Sequence, residues 1–356
     1  VISSDVRHAI ARAVAGEGLG PADPGLRPTG TPGQYASNVA FASGEQPRAI
    51  ATRVAARLAG TAGIARADVT GPGFITVTVT AGALAALPDR IVNAGPGCAA
   101  SDALRGVRVT APPGADPLAE ASWEKARAAL ALQLTARLAA AAGATAAPSE
   151  GVERTVSSPP PTQLAVGGEA TVRSSAEKEA AAARPQPPDT ELARAVAYAG
   201  ADAVRFWLAR ALPGRPSAVD RQIIARHVLG NPAYAVRYAH ARAASGVRWA
   251  ANSRPISLGR PAVPQHPLAH QAELVLLDAL SWLPERVAIA ARRGRPDEFA
   301  RYLEELGSAT VAALICPGYP ANARAPGTGR LAMAEAARTG LAAGLGLLGV
   351  GAPERL

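Results

Sequence analysis

The stretch from Asn231 to Val247, NPAYAVRYAHARAASGV, constrains the fold more than any other part of the chain. Asn231 is a good helix cap, and Pro232 falls at the first helical position, where its missing N–H costs nothing. Few breakers follow before Gly246, so the spacing predicts a helix. Tyr234, Tyr238, Ala241 and Ser245 recur at three- and four-residue steps and share one face. Val236, His240, Ala244 and Val247 line a second, more apolar face, and Arg237, Arg242 and Arg248 lie on neighbouring surface. Two uses fit this pattern. One is a bundle helix with a buried aromatic edge and solvated arginines, the commoner case on spacing alone; the other is a basic, aromatic helix laid against nucleic acid.

A chain of 356 residues, 48% hydrophobic and 18% charged, has room for two or three domains and a sizeable core. No apolar run is long and uninterrupted enough to span a membrane. Thr339 to Ala352 comes nearest and reads as a packed, glycine-rich helix. The first residues, VISSDVRHAI, show no secretory signal, and with Met333 the only methionine, Val1 reads as a non-ATG start or a product of trimming. Cys98 and Cys316 are too few for a disulfide framework or a zinc site; they fit free thiols and a cytoplasmic location.

The formal charge of +9 is unevenly placed. Residues 191–260 carry eleven Lys and Arg against three Asp and Glu, whereas 111–190 carry seven against nine. The positive excess therefore surrounds the Asn231–Val247 helix, as a footprint for RNA would. Arginine is abundant throughout and only Lys125 and Lys178 are lysines, so coding bias is a competing source of the charge.

Along the chain, Ile2, Val6, Ile10 and Val14 at four-residue spacing predict a short amphipathic helix over residues 1–20. A proline- and glycine-rich loop follows to Gly33. Next come YASNVAF (Tyr35–Phe41), a helix from Pro47 to Ala59, and strands at Ala67–Val69 and Phe74–Thr80 around the turn Gly71-Pro72-Gly73. Val107–Thr110 reads as a strand and Pro117–Ala142 as a long alanine-rich helix. Beyond the low-complexity segments SSPPPTQ and AEKEAAAARPQPP, a helix is predicted from Glu191 to Leu212, with Asp202 and Arg205 spaced to pair across one turn. After the Asn231–Val247 helix comes a proline-rich excursion (Arg254–Pro267). Helices then follow near His270–Leu280, Pro284–Ala291, Pro296–Leu314 and Gly329–Leu348, which calls for a bundle.

The wording of several of these segments resembles one family. N-P-x-Y-x-V-x-Y-A-H-A-R is similar to the signature opening the helical anticodon-binding domain of arginyl-tRNA synthetases, which has Tyr where Ala235 stands and Gln where Arg237 stands. G-A-D-A-V-R-F-W-L, F-A-R-Y-L-E-E-L and R-L-A-M-A-E-A-A-R-T-G-L resemble the rest of that domain. Y-A-S-N-V-A-F, P-R-A-I-A and G-P-G-F-I resemble the family's additional N-terminal domain. Within the family the chain looks most like the catalysis-deficient anticodon-binding proteins of actinobacteria. The resemblance implies an α+β N-terminal domain (1–95), a shortened α/β (Rossmann-like) remnant with linker (105–190), and an all-α DALR-type bundle (191–356).

It also implies site residues. In the anticodon domain these are Tyr234, Arg237, Tyr238, Arg242 and the last residue, Leu356, where the family has Met. In the N-terminal domain Tyr35 and Asn38 are candidates for the tRNA outer corner, though Tyr35 packing on the helix and Asn38 capping a turn are equally compatible. In the family a strand-loop-helix holds the histidines of the ATP signature. Here G-A-D-P-L-A-E-A-S aligns with it, placing Ala119 and Ser122 at the two histidines and Ala121 at the adjacent glycine, with Glu120 adding negative charge. The lysine-rich loop is represented by LAVGGEATVRSSAEK, with Gly167-Gly168, Arg173 and no lysine before Lys178. No other catalytic or metal-binding constellation is apparent.

The expectation is a non-catalytic synthetase paralogue that binds tRNA, with no cofactor, an ATP site lost and no membrane contact. A genuine aminoacyl-tRNA synthetase or a second copy of the chain are further partners. A protein-interaction or self-association module is the alternative, and a residual arginine–tRNA ligase using ATP a more distant one. The missing ring at Ala235 and the ring-free GSATVAAL stretch weigh against arginine-specific anticodon reading.

Overall fold

The computed structural model describes residues 2–20, 22–42, 46–110, 114–147, 190–212, 220–252, 270–315 and 328–356. The low-complexity segments, the lysine-loop counterpart with Arg173 and Lys178, the Arg254–Pro267 excursion and Cys316 lie outside these residues.

Helix α1 (Ile2–Gly16) buries Ile2, Val6, Ile10 and Val14, the repeat visible in the sequence. It packs on α2 (Pro47–Leu58), which covers an antiparallel sheet ordered β1 (Arg27–Pro28), β2 (Gln34–Ser37), β4 (Phe74–Val79), β3 (Ile64–Thr70). Alternation in β4 turns Ile75, Val77 and Val79 inward, where burial favours the β-branched residues. The β3–β4 turn demands a glycine. Gly73 has φ 147°, and a Cβ there would stand 2.9 Å from the Pro47 carbonyl carbon. The short strand β1 and the helices α3 (Ala81–Ala85) and α4 (Leu87–Ala94) go unpredicted, although α4 places Leu87 and Ile91 four residues apart, both buried.

In the middle, β5 (Arg108–Thr110), α5 (Trp123–Ala141) and β6 (Thr145–Ala147) form one β-α-β unit, its strands parallel with Thr110 opposite Ala147. Helix α5 starts later than the sequence suggests. Asp116 caps a single 3-10 turn at Pro117–Ala119, accepting from the Leu118 N–H at 3.1 Å; the backbone is extended at Glu120 and Ser122, and the helix restarts. Ala126, Leu130, Leu134 and Leu138 then face the core.

The remainder is helical: α6 (Glu191–Ala199), α7 (Ala201–Arg210), α8 (Arg221–Ile224), α9 (Pro232–Asn252), α10 (Gln271–Ser281), α11 (Leu283–Arg293), α12 (Pro296–Ile315) and α13 (Thr328–Leu347). The single helix expected over Glu191–Leu212 is two, because Gly200 takes φ 86° between them. Asp202 and Arg205 do not pair. Asp202 lies 3.7 Å from Arg237, and Arg205 donates to the Gly349 carbonyl at 3.0 Å. Helix α9 is sandwiched against α12 and α13, with Val236, Ala239, His240, Ala243 and Ala244 buried.

The sheet domain and the bundle share an interface. Arg7 of α1 donates through Nε to Glu285 of α11 at 2.9 Å and through Nη2 to the second carboxylate oxygen; the two are 6% and 3% exposed. Arg7 Nη1 also reaches Asp23 at 2.7 Å, and Asp23 pairs with Arg292. The Gly33 N–H donates to Asp278 at 3.1 Å, and the Tyr35 ring lies 5.0 Å from that of Trp282. Cys98, buried against this region, has its thiol pushed up to about 11 by burial and forms no disulfide.

Candidate nucleic-acid interface

The first turns of α9 are set by Asn231. Its Oδ1 accepts from the Ala233 N–H at 3.2 Å, the capping bond the sequence implies. Its Nδ2 donates to the carbonyls of Ile224 and Arg226, both at 2.8 Å, which ties the preceding loop back onto the helix start. Behind this clamp three rings follow one another. His227 lies 5.3 Å from Tyr234 with planes 12° apart, and Tyr234 lies 5.8 Å from Tyr238 at 23°. Both tyrosines are half-buried and His227 is exposed. The four-residue step from Tyr234 to Tyr238 continues to Arg242, so ring and cation lie along one stripe. His227 is absent from the sequence-derived set, because its neighbourhood depends on how Asn231 folds the loop back. Of that set's shared face, Ala241 turns into the core and Ser245 is exposed.

The arginines divide. Arg237 is turned inward beside Asp202, half-buried, with Nε lacking a hydrogen-bond partner among the described residues. Asp202 therefore competes with any phosphate for its charge. Arg242 is exposed, as are Arg221 and Arg226, and none of the three forms an ion pair among the described residues. Arg248 and Arg338 hold Glu354 at 2.8 and 3.3 Å, and Nδ1 of His240 hydrogen-bonds the Pro353 carbonyl at 2.9 Å. These contacts lay the last residues across α9 and leave Leu356 56% exposed beside them. His240, on the apolar face of the helix, thus packs against the chain end.

In the sheet domain, Tyr35 is fully buried and donates its hydroxyl to Ser281 Oγ at 2.7 Å. It cannot meet an RNA in this fold; the bundle covers it. Asn38 is half-buried over Gly25, close enough that a Cβ on Gly25 would overlap its Oδ1. Beside it, Phe41 and Phe74 form an exposed ring pair 5.0 Å apart, 41% and 39% exposed, which the sequence reading does not single out.

At the start of α5, Ala119, Ala121 and Ser122 are all exposed. The alanine side chains offer no donor, and Ser122 Oγ accepts from the Lys125 N–H at 3.3 Å as the helix cap. The loop thus uses its one hydroxyl on helix geometry, and the half-buried Glu120 adds negative charge beside it. Among the described residues no group of His, Cys, Asp and Glu could hold a metal ion, and no helix is long and apolar enough to cross a membrane.

Two family descriptions match the chain: the arginyl tRNA synthetase N terminal domain over residues 1–79 and the DALR anticodon binding domain over residues 236–356. The chain belongs to the arginyl-tRNA synthetase family. The arginine–tRNA ligase of Micrococcus luteus is 35% identical over 175 residues, which is 47% of this chain and 31% of that ligase. The ligase of Frankia alni is 37% identical over 166 residues, 44% of this chain and 29% of its own length. The match thus spans about a third of these synthetases. The Thermus thermophilus arginyl-tRNA synthetase structure superposes with a TM-score of 0.64 at 15% identity, covering 100% of each chain, and shares the fold. As a synthetase-family chain, it joins a mixed α/β N-terminal region to a largely helical C-terminal one.

Proposed function

We propose that this synthetase-family chain binds tRNA through its two end domains and does not attach an amino acid to it. The reading is carried by the ring row at the start of α9, where His227 on the preceding loop stacks on Tyr234 and Tyr234 on Tyr238, with the exposed Arg221 and Arg226 before it and Arg242 one turn beyond. Rings that present a face to bases, with cations free to take phosphates, are what single-stranded nucleic acid requires. Support for the second half comes from Ala119, Ala121 and Ser122. They provide no charged or long donor for a triphosphate, so the residues present do not fit ATP, and no ligation step is derived for them. The chain would act by holding tRNA, alone or beside a working synthetase.

A mobility-shift titration with total tRNA tests the first half. Binding is expected to tighten as salt is lowered, with a log–log slope of about −2 to −3 if three arginines each displace a counterion. Absence of a shift below about 100 μM at physiological salt, weaker than ordinary nonspecific binding, would refute it. Arginine-dependent ATP–pyrophosphate exchange above a no-enzyme control would refute the second half.

A second reading, a protein-interaction or self-association module, is favoured by the exposed apolar side chains of Tyr198, Ile223, Val228 and Leu229. Recovery of a protein partner that persists after nuclease treatment, with no RNA recovered, would select it.

A further inference from the structure

The ring row has a geometry that restricts where a base can go. A base held between two parallel rings keeps them roughly 7 Å apart, twice the ~3.4 Å stacking rise. The gaps here are 5.3 and 5.8 Å, so no base enters the row, and one can stack only on an outward face. Tyr234 and Tyr238 are half-buried in α9, whereas His227 is exposed on the loop that Asn231 clamps. Its chain neighbour Arg226 is also exposed and outside any ion pair among the described residues. Val228 and Leu229, 51% and 59% exposed, border the same loop and offer apolar contact to a ribose or base edge.

We propose, resting on the tRNA-binding reading above, that His227 is a nucleobase-stacking position: an unpaired base from a single-stranded RNA loop lies on its open face while Arg226 takes the adjoining phosphate. Tyr234 is then the backing ring that holds the imidazole plane, and does not itself touch the base. His227 and Tyr234 both precede the segment matched by the anticodon-binding domain, residues 236–356, so this position extends the RNA-facing strip beyond it.

The test uses the full chain and two labelled probes, an RNA hairpin with a single-stranded loop and a blunt duplex of the same stem. His227→Ala is expected to weaken hairpin binding about 5- to 150-fold, the cost of one lost base stack, and to leave duplex binding unchanged. His227→Phe should restore most of the loss, since a phenyl face stacks without charge or hydrogen bonds. Arg226→Gln should weaken both probes and lower the salt slope by about one. Exposed His227 carries no core packing, and thermal melting of each variant checks that the fold survives. If the unmutated chain binds the hairpin and His227→Ala binds it equally well, the inference falls and the tRNA-binding reading stands. Rescue by Gln but not by Phe would replace stacking with hydrogen bonding and overturn it as well. If the unmutated chain binds neither probe nor tRNA, both fall together.

Discussion

His240 and Tyr35 are polar side chains that the fold has taken out of water, and each has a measurable consequence. The Pro353 carbonyl can only accept a hydrogen bond, so Nδ1 of His240 carries the proton and the neutral ring satisfies the contact. Burial holds the His240 pKa below the ordinary histidine value, with the Pro353 bond acting in the opposite sense. Because the folded value is the depressed one, its stabilisation is complete above about pH 6.5, the usual histidine value, and is lost as pH falls through the folded value. Urea midpoints should therefore decline as pH is lowered from 7.5 towards 5. His240→Asn should flatten that decline. Tyr35→Phe removes the hydroxyl bonded to Ser281 and should cost about 0.5–1.5 kcal/mol in chemical denaturation. It should leave tRNA affinity unchanged; a weakened affinity with an intact melting curve would contradict its burial. The sequence could not sort such residues. Arg237 and Arg242 stand five apart on one helix, and which of them turns inward depends on where Asp202 arrives from α7.

Helices and strands with strong local signals were readable, and those shaped by neighbours were not. The Asn231–Pro232 start of α9 follows from capping chemistry alone, and the α1 repeat and β4 alternation from burial. The break at Gly200 was missed because a glycine inside a helical pattern is tolerated until packing requires φ 86°. Two other helix glycines should behave differently from each other. A Cβ on Gly307 of α12 would sit 3.5 Å from Val236 and Ala239 of α9, ordinary contact, so Gly307→Ala should be neutral or stabilise by up to about 1 kcal/mol through helix propensity. A Cβ on Gly344 of α13 would overlap the buried Leu303 side chain. Gly344→Ala should therefore destabilise by about 1–3 kcal/mol unless Leu303 finds another rotamer. Thermal and urea melts of the pair distinguish the two contacts. The ring row belongs to this scale as well: His227 joins Tyr234 only through the loop closed by Asn231, a tertiary arrangement with no periodic trace.

Across the whole molecule, the mixed α/β N-terminal region and the helical C-terminal one were legible from the wording, but the contact between the two ends was not. Nothing in the sequence announces that Arg7 meets Glu285 or that Tyr35 meets Trp282. Removing one partner of a buried charge pair strands the other, at about 3–5 kcal/mol. Arg7 keeps its bond to Asp23, so Glu285→Ala should lower the unfolding free energy by somewhat less than that and accelerate amide exchange on both α1 and α11. A loss under about 1 kcal/mol, the surface-pair range, would show that the interface opens readily.

The sheet domain seated on the bundle has a further consequence for any bound RNA. The Phe41–Phe74 edge and the His227 loop belong to parts of the fold joined through Arg7, Asp23 and Tyr35, and while those contacts hold neither swings independently to meet a ligand of the wrong proportions. If both touch one RNA, the chain works as a calliper with its jaws set in advance. An isolated anticodon hairpin would engage one jaw, and a folded, elbow-shaped RNA of the right reach would close on both.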